Sequence, residues 1–377
     1  MNPAQFRALF PALRSMVWLD TPGAPPGAEP VVQALRDAIS AWSSGEFDRH
    51  AWDAATGQAR ELFARLVGVD PATVSTLGSL AEAAATVAGS LPPGRIVVAA
   101  DEFRSNLFPW LAQPRHHVVL VPVRDGATPV EDLIEALNEE TVLLAVSEVT
   151  SREGQRLDLP ALRAATDRVG ARLFVNLTQS LGALRFDASA VRPDYLAVHG
   201  YKWLLCPRGA AWLVTRPDRL DGLKPLAPSW KSTGPPYGWF GGPMDLADDA
   251  RRCDASPAWL SWVGACAALQ LFGRLDPGRV ERHCLDLAAR FTRHAHALGL
   301  RPVTGGPASH IVVLRTDHAD RIARRLRQHG VRATALGDRI RFGFHYYNSD
   351  HDVSATLRAL DDDELLPTGN PGPTPTR

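Results

Sequence analysis

The residues of this sequence best suited to nucleophilic chemistry are its amines, and only three lysines are present: Lys202, Lys224 and Lys231. A guanidinium stays protonated and cannot form a Schiff base, so amine chemistry is confined to these positions. Lys202 stands in the segment 199–203, HGYKW, directly after the apolar run 195–198. A lysine at the end of a buried strand is partly desolvated, which lowers its pKa and favours attack on an aldehyde. The alternative, a lysine reaching from a strand end into solvent, is equally compatible with this segment alone.

Polar and aromatic side chains follow three other apolar segments. Gly78 and Ser79 precede a small-residue helix, where free backbone N–H groups can bind a phosphate. Phe103 follows a second strand and offers a ring for stacking, and Asn176 and Gln179 follow a third. Ser79 could instead be a helix cap, and Asn176 and Gln179 could be hydrogen-bonded amides of the core. Four such segments at one edge of one sheet, however, predict a ligand site.

The elements that must position these residues alternate between short apolar runs and amphipathic segments. This pattern predicts a mostly parallel sheet with helices on both faces. The predicted strands are 96–100, 117–123, 142–146, 173–175, 195–198 and 210–214, and predicted helices include 81–88, 129–137 and 159–169. After a segment without periodicity at 231–244, the pattern predicts helices 258–271 and 285–298, strand 310–315, helix 317–329, strand 340–344 and helix 352–360.

A length of 377 residues predicts more than one domain. We expect an N-terminal segment, 1–20, that packs on the small domain, a large domain at 21–265 and a small C-terminal α/β domain at 266–366. The last residues, 367–377, are rich in proline, glycine and threonine and are predicted to be disordered.

Composition narrows the class of protein. The formal net charge is +0 and 22% of residues are charged, which favours neither nucleic acid nor an anionic membrane surface as a partner. No apolar run is long enough to span a membrane, and a cytoplasmic location is expected. The four cysteines show no CxxC spacing, so we expect packed thiols with neither a metal site nor a disulfide framework.

In this order the motifs resemble those of the class V aminotransferases, fold-type I enzymes that use pyridoxal 5'-phosphate (PLP). That family includes cysteine desulfurases, kynureninases and isopenicillin N epimerase-like proteins. The resemblance runs from the segment 18–20, WLD, to the segment 341–348, RFGFHYYN. It implies an α/β fold with a large, doubly wound, mostly parallel sheet and a small C-terminal α/β domain, assembled as a homodimer.

The resemblance also implies a role for each site residue. At the cofactor these are the Schiff-base Lys202, Phe103 stacked on the ring, Gly78 and Ser79 at the phosphate, Asn176 at the ring nitrogen, Gln179 near the ring oxygen, His199 reaching the phosphate, and Ser256 reaching the phosphate of the neighbouring subunit. Arg341 would bind the α-carboxylate of an amino acid substrate, a bidentate task that suits guanidinium. Lys202 would also be the base that removes the α-proton, and a loop around Trp239 and Phe240 would shape the substrate pocket.

The sequence departs from the family at two points. Most members have aspartate where this chain has Asn176, and a carboxylate there keeps the pyridine nitrogen protonated, whereas an amide is neutral. We therefore predict β-elimination or racemisation of an L-amino acid or cysteine S-conjugate rather than transamination. The segment Gly330 to Ile340 lacks the cysteine that desulfurases place before the carboxylate-binding arginine, so no persulfide is expected. Cys206, four residues after Lys202, is interpreted as a packing residue.

Three other functions remain open at this stage. The chain could be an aminotransferase proper, or a noncatalytic binding protein that keeps only the fold. A dinucleotide-binding enzyme is disfavoured, because no GxGxxG follows the first strand.

Overall fold

The computed structural model describes residues 1–124, 127–303 and 306–361. Its α-helices are α1 (Pro3–Arg7), α2 (Glu29–Ser44), α3 (Arg49–Val67), α4 (Leu80–Ser90), α5 (Arg104–Leu111), α6 (Val130–Glu135), α7 (Leu159–Val169), α8 (Ala188–Val191), α9 (Trp259–Phe272), α10 (Pro277–Ala297), α11 (Ala319–Gln328) and α12 (Asp350–Leu360). Its strands are β1 (Val17–Trp18), β2 (Val74–Leu77), β3 (Gly94–Ala99), β4 (His116–Val121), β5 (Thr141–Ser147), β6 (Arg172–Asn176), β7 (Tyr195–His199), β8 (Ala211–Thr215), β9 (Ile311–Arg315), β10 (Val331–Arg332), β11 (Thr334–Ala335) and β12 (Arg339–Gly343).

The large sheet has seven strands in the order β2-β8-β7-β6-β5-β3-β4. Strand β8 runs antiparallel to both of its neighbours, and the other six strands share one direction. Along β3, Val97 packs into one hydrophobic cluster while Ile96 and Val98 pack into another, because successive side chains point to opposite faces. The sheet is therefore covered on both faces, and the predicted α/β fold with a mostly parallel sheet is confirmed.

The six strands predicted for this sheet are all present, with ends within two residues of those predicted. Strand β2 was missed because its sequence, VSTL, carries two hydroxyl residues. Those hydroxyls are buried and paired: Ser75 donates to the carbonyl of Ala250 at 2.6 Å, and Thr76 donates to Asp254 at 3.0 Å. A strand whose polar groups are satisfied by distant residues gives no alternating pattern in the sequence.

Helix α10 begins eight residues before the predicted start at 285. The Asp276 side chain accepts the backbone N–H of Arg279, and Pro277 occupies the first helical position, where its missing N–H costs nothing. Helices α2 and α3, which the sequence patterns did not single out, pack against α9 and cover one face of the large sheet.

A second, three-stranded antiparallel sheet has the order β11-β12-β9. Its hydrophobic cluster includes Phe291, Phe342 and Leu326, contributed by α10, β12 and α11. Strand β1, near the N-terminus, pairs in parallel with β10 of this region. The predicted disordered tail, 367–377, and the last residues of the predicted small domain lie outside the described residues.

Within the described ranges, no helix is both long and apolar enough to cross a membrane.

Candidate functional site

Lys202 lies three residues after the end of β7 and is 5% exposed. The chain turns back at once toward β8: the N–H of Cys206 donates to the carbonyl of Gly200 at 3.1 Å. A side chain at position 200 would meet the Cys206 sulfur at 2.8 Å, so only glycine allows this close approach. The turn therefore holds the Lys202 amine at the carboxyl edge of the sheet.

The Lys202 amine is poised as a nucleophile. Burial first, and then the charges of Arg341 and Arg208, lower its pKa to about 7. Its Nζ lies 5.4 Å from the centre of the Phe103 ring and 5.6 Å from that of Tyr201. Near neutral pH a substantial share of the amine is therefore unprotonated, the form that attacks an aldehyde.

Lys202 shares one cavity with three other residues singled out in the sequence: Phe103, Asn176 and His199. Phe103 follows β3, and Asn176 and His199 are the last residues of β6 and β7. These strands run in parallel, so their carboxyl ends meet at one edge. Leu80, at the start of α4, lines the same cavity. The convergence of strand ends predicted from the sequence is therefore observed.

Asn176 presents a neutral amide to this cavity. Its Nδ2 donates to the hydroxyl of Ser147 at 2.9 Å, and its Oδ1 accepts the N–H of Thr178 at 3.0 Å. These two bonds fix the amide orientation and leave one N–H and one lone pair. Behind Ser147 lies Glu102, whose pKa is raised by burial.

His199 is buried and uncharged at neutral pH. Burial lowers its pKa to about 4, and the neighbouring charges of Arg208 and Lys202 act in the same direction. Its Nε2 accepts the N–H of Gly209 at 3.4 Å, which places the ring proton on Nδ1. His199 can therefore donate one hydrogen bond to a ligand.

Gly78 and Ser79 form a closed cap at the start of α4. The Ser79 hydroxyl accepts the N–H of Glu82 at 3.2 Å, and the Gly78 N–H donates to the Glu82 carboxylate at 2.8 Å. This reciprocal arrangement is a capping box shifted by one residue, so both positions already have partners within the chain.

Gln179 is buried and its amide is engaged by protein groups. Its Nε2 donates to the carbonyl of Pro22 at 3.1 Å and to the hydroxyl of Ser151 at 3.3 Å. Its Oε1 accepts the indole N–H of Trp203 at 2.9 Å. Gln179 therefore fixes the residue that follows Lys202.

Arg341 is a buried cation on β12, 6% exposed. Its Nη1 donates to the carbonyl of Ser151, its Nε has no partner, and among the described residues it forms no ion pair. Burial lowers its pKa to about 10, which still leaves it protonated. Arg339, two residues earlier, is paired with Glu153. Arg341 is therefore available to bind an anion.

The other three predicted positions lie away from this cavity within one chain. Ser256 is exposed, next to Ala255, whose N–H donates to the carbonyl of Thr76 at 3.0 Å. Trp239 stacks on Trp230, with ring centres 4.7 Å apart, and lines a different cavity. Phe240 is 97% exposed.

Tyr201 and Arg208 are among the residues that line the cavity without having been assigned a role from the sequence. The guanidinium carbon of Arg208 lies 4.6 Å from the centre of the Tyr201 ring. Pro207-Arg208-Gly209 was interpreted only as a turn between two strands. The signal that could have found Arg208 is a cation on the turn that follows the reactive lysine.

The side chains at this cavity fit PLP. A buried amine can hold its aldehyde, the Phe103 ring can stack on its planar ring, and Asn176 can bond its ring nitrogen. Arg208 and Arg341 supply cations for two anionic groups.

Residues 17–358 match the family described as aminotransferase class-V. The chain belongs to the class V aminotransferase family. Among its relatives, a Bacillus subtilis protein described as the uncharacterized aminotransferase YcbU is 31% identical over 93% of this chain and 95% of that protein. Isopenicillin N epimerase of Streptomyces clavuligerus is 28% identical over 64% of this chain and 63% of that enzyme. The structure of a cysteine desulfurase from Thermococcus onnurineus has a TM-score of 0.83 at 20% identity and covers 97% of this chain and 98% of that one.

Membership of the class V aminotransferases confirms the resemblance drawn from the motifs, the fold-type I architecture and PLP as the cofactor. Four buried cysteines, all free thiols, likewise match the expectation of packing residues.

Proposed function

We propose that this protein acts at the α-carbon of an L-amino acid or cysteine S-conjugate, and that it favours β-elimination or racemisation over transamination. The observation that carries the proposal is the neutral Asn176 amide, held by Ser147 and Thr178 at the end of β6.

The chain's own residues supply binding and proton transfer. Lys202 would hold the PLP aldehyde and, once displaced by the substrate amine, would take the proton from the α-carbon; a pKa of about 7 suits both tasks. Arg341, buried and without a carboxylate partner among the described residues, would bind the substrate carboxylate. When bound, PLP supplies a conjugated ring that withdraws electrons from the α-carbon.

The neutral amide weakens that withdrawal. A carboxylate opposite the ring nitrogen of bound PLP would hold a proton on it, whereas Asn176 could bond the protonated and unprotonated forms alike. The electron pair left at the α-carbon would then be less stabilised. This would favour loss of a β-substituent, or return of a proton to the same carbon, over the proton shift that transamination needs.

We further propose that the protein forms no persulfide. All four of its thiols are buried, and burial raises the pKa of each of them, so none presents a reactive thiolate to a sulfur-bearing substrate. Cys206, the nearest to Lys202 in sequence, packs in the hydrophobic core.

A homodimer is part of the proposal. Ile39 and Trp42 on α2 are exposed, and Phe47, Trp52 and Trp259 line an adjoining apolar cavity, which together make an exposed apolar face. In such a dimer we propose that exposed Ser256 binds the cofactor phosphate of the neighbouring subunit. Sedimentation of the purified protein tests the assembly, and a monomer at working concentration would contradict it.

The reaction is tested by product analysis of the wild type, Asn176→Asp and Lys202→Ala. Each is incubated with an S-substituted L-cysteine and with a plain L-amino acid, and pyruvate, D-isomer and half-transamination keto acid are measured separately. We expect the wild type to form mainly pyruvate and D-isomer, and Asn176→Asp to shift the ratio toward keto acid by about tenfold, the effect of roughly 1.4 kcal/mol. Lys202→Ala should form none of the three.

A fast and clean half-transamination by the wild type would refute the preference. It would favour the second candidate, a transaminase, which the similarity to the aminotransferase YcbU supports. Borohydride reduction followed by peptide mass analysis tests the attachment separately: the added pyridoxyl mass should be found on the peptide that contains Lys202 and be missing from Lys202→Ala.

A further inference from the structure

We infer that Arg208 binds the cofactor phosphate and so sets how tightly this protein retains PLP. The inference rests on the proposed attachment of PLP to Lys202 and adds a phosphate ligand to it.

The first support is the balance of charge around the cavity. The charges of Arg341 and Arg208 lower the pKa of Lys202, against the opposite effect of Asp20 and Glu102. Arg208 lines the cavity and forms no ion pair or side-chain hydrogen bond among the described residues. PLP brings a phosphate of nearly two negative charges, and an amino acid brings one carboxylate. Two unpaired guanidinium groups match these two anions.

The second support is the position of each guanidinium. The charge of Arg208 lowers the pKa of His199. The His199 Nε2 accepts the N–H of Gly209, the residue that follows Arg208. Leu80, the first residue of α4, lines the same cavity. Arg341 instead comes from β12 and bonds the carbonyl of Ser151. Arg208 therefore lies beside His199 and near the start of α4, where the phosphate is expected, whereas Arg341 comes from the second sheet.

The third support is a negative charge at the start of α4. The Gly78 N–H and the Ser79 hydroxyl both bond Glu82, whose carboxylate places a negative charge at the helix start. A phosphate held there needs a cation close by to offset that repulsion. Among the arginines, Arg208 is the one that lines this cavity.

The Arg208 backbone is fixed although its side chain is exposed. The Ser261 hydroxyl donates to the carbonyl of Arg208 at 2.7 Å, and Gly209 has a φ of +101°. A side chain at Gly209 would lie 2.8 Å from the Ser261 oxygen, so the turn requires glycine. The guanidinium then lies over the Tyr201 ring, which limits its freedom before a ligand arrives.

The test compares PLP with pyridoxal, the same aldehyde without the phosphate. Cofactor-free full-length protein is titrated with each, and binding is followed by the absorbance of the product formed on Lys202. The variants are Arg208→Gln, Arg208→Lys and, as a matched control, Arg185→Gln, whose exposed side chain does not line this cavity.

We expect Arg208→Gln to weaken PLP binding about tenfold or more while pyridoxal binding changes less than threefold. Arg208→Lys should fall between the wild type and Arg208→Gln, because it keeps the charge but loses the bidentate geometry. Arg185→Gln should bind both aldehydes as the wild type does.

Equal losses for PLP and pyridoxal, or no loss for either, would overturn the inference. The second result would be expected if Arg208 served a distal carboxylate of the substrate. A wild type that binds neither aldehyde on Lys202 would instead refute the proposed function itself, so the two failures are distinguishable.

Discussion

Replacing Lys202 with methionine should stabilise the protein in its cofactor-free form. Lys202 has an ordinary pKa of 10.5 that falls to about 7 in the folded chain, chiefly because of burial. Between these two values the unfolded chain binds a proton that the folded chain does not. Below pH 7 the buried charge therefore lowers the free energy of unfolding by its full amount. The loss becomes smaller as the pH rises and disappears above pH 10.5.

The magnitude follows from the shift. A difference of 3.5, from 10.5 to about 7, corresponds to roughly 5 kcal/mol of lost stability below pH 7, since each unit of pKa corresponds to about 1.4 kcal/mol. Methionine fills a similar volume without a charge, so Lys202→Met should regain most of this lost stability. Between pH 7 and pH 9 its advantage over the wild type should shrink by about 2 to 3 kcal/mol.

The assay is urea unfolding of cofactor-free wild type, Lys202→Met and Lys224→Met between pH 6 and pH 9. Subtracting the free energy of unfolding of the wild type from that of each variant cancels the titration of all groups common to both. Lys224 is exposed and serves as the matched control. The free energy of unfolding of Lys224→Met should differ little from that of the wild type at each pH. An advantage of Lys202→Met that stays constant with pH, or that is missing at pH 6, would refute the account of a desolvated amine.

Three further outcomes are expected. Arg341→Gln should reduce the preference for an L-amino acid over the matching primary amine by roughly 10- to 100-fold, as loss of a charged hydrogen bond predicts; an unchanged preference in binding assays would show that another group holds the carboxylate. Phe103→Ala should weaken PLP and pyridoxal binding alike, by about tenfold, because stacking does not involve the phosphate; a loss confined to PLP would contradict this. The folded protein should take up no iodoacetamide at pH 7 by mass spectrometry and four equivalents after unfolding, since its four thiols are buried; modification of the folded protein would argue against the proposed absence of persulfide chemistry.

The sequence by itself determined the alternation of strands and helices, because each buried strand of the parallel sheet is a short, nearly continuous apolar run. It also placed Phe103, Asn176, His199 and Lys202 at strand ends, and parallel strands bring such ends to one edge. These inferences need only local sequence and a topology rule, which is why they could be made from the chain alone.

Tertiary structure alone decided which polar groups are left for a ligand. Gly78 and Ser79 are bonded to nearby Glu82, whereas Arg341 has no carboxylate partner in the described part of the chain and its neighbour Arg339 is paired with Glu153. Arg339 and Glu153 are far apart along the chain. Hydrogen bonding and burial depend on distances that hydrophobic periodicity does not encode, so only the tertiary structure showed that Arg208 lines the cavity of Lys202.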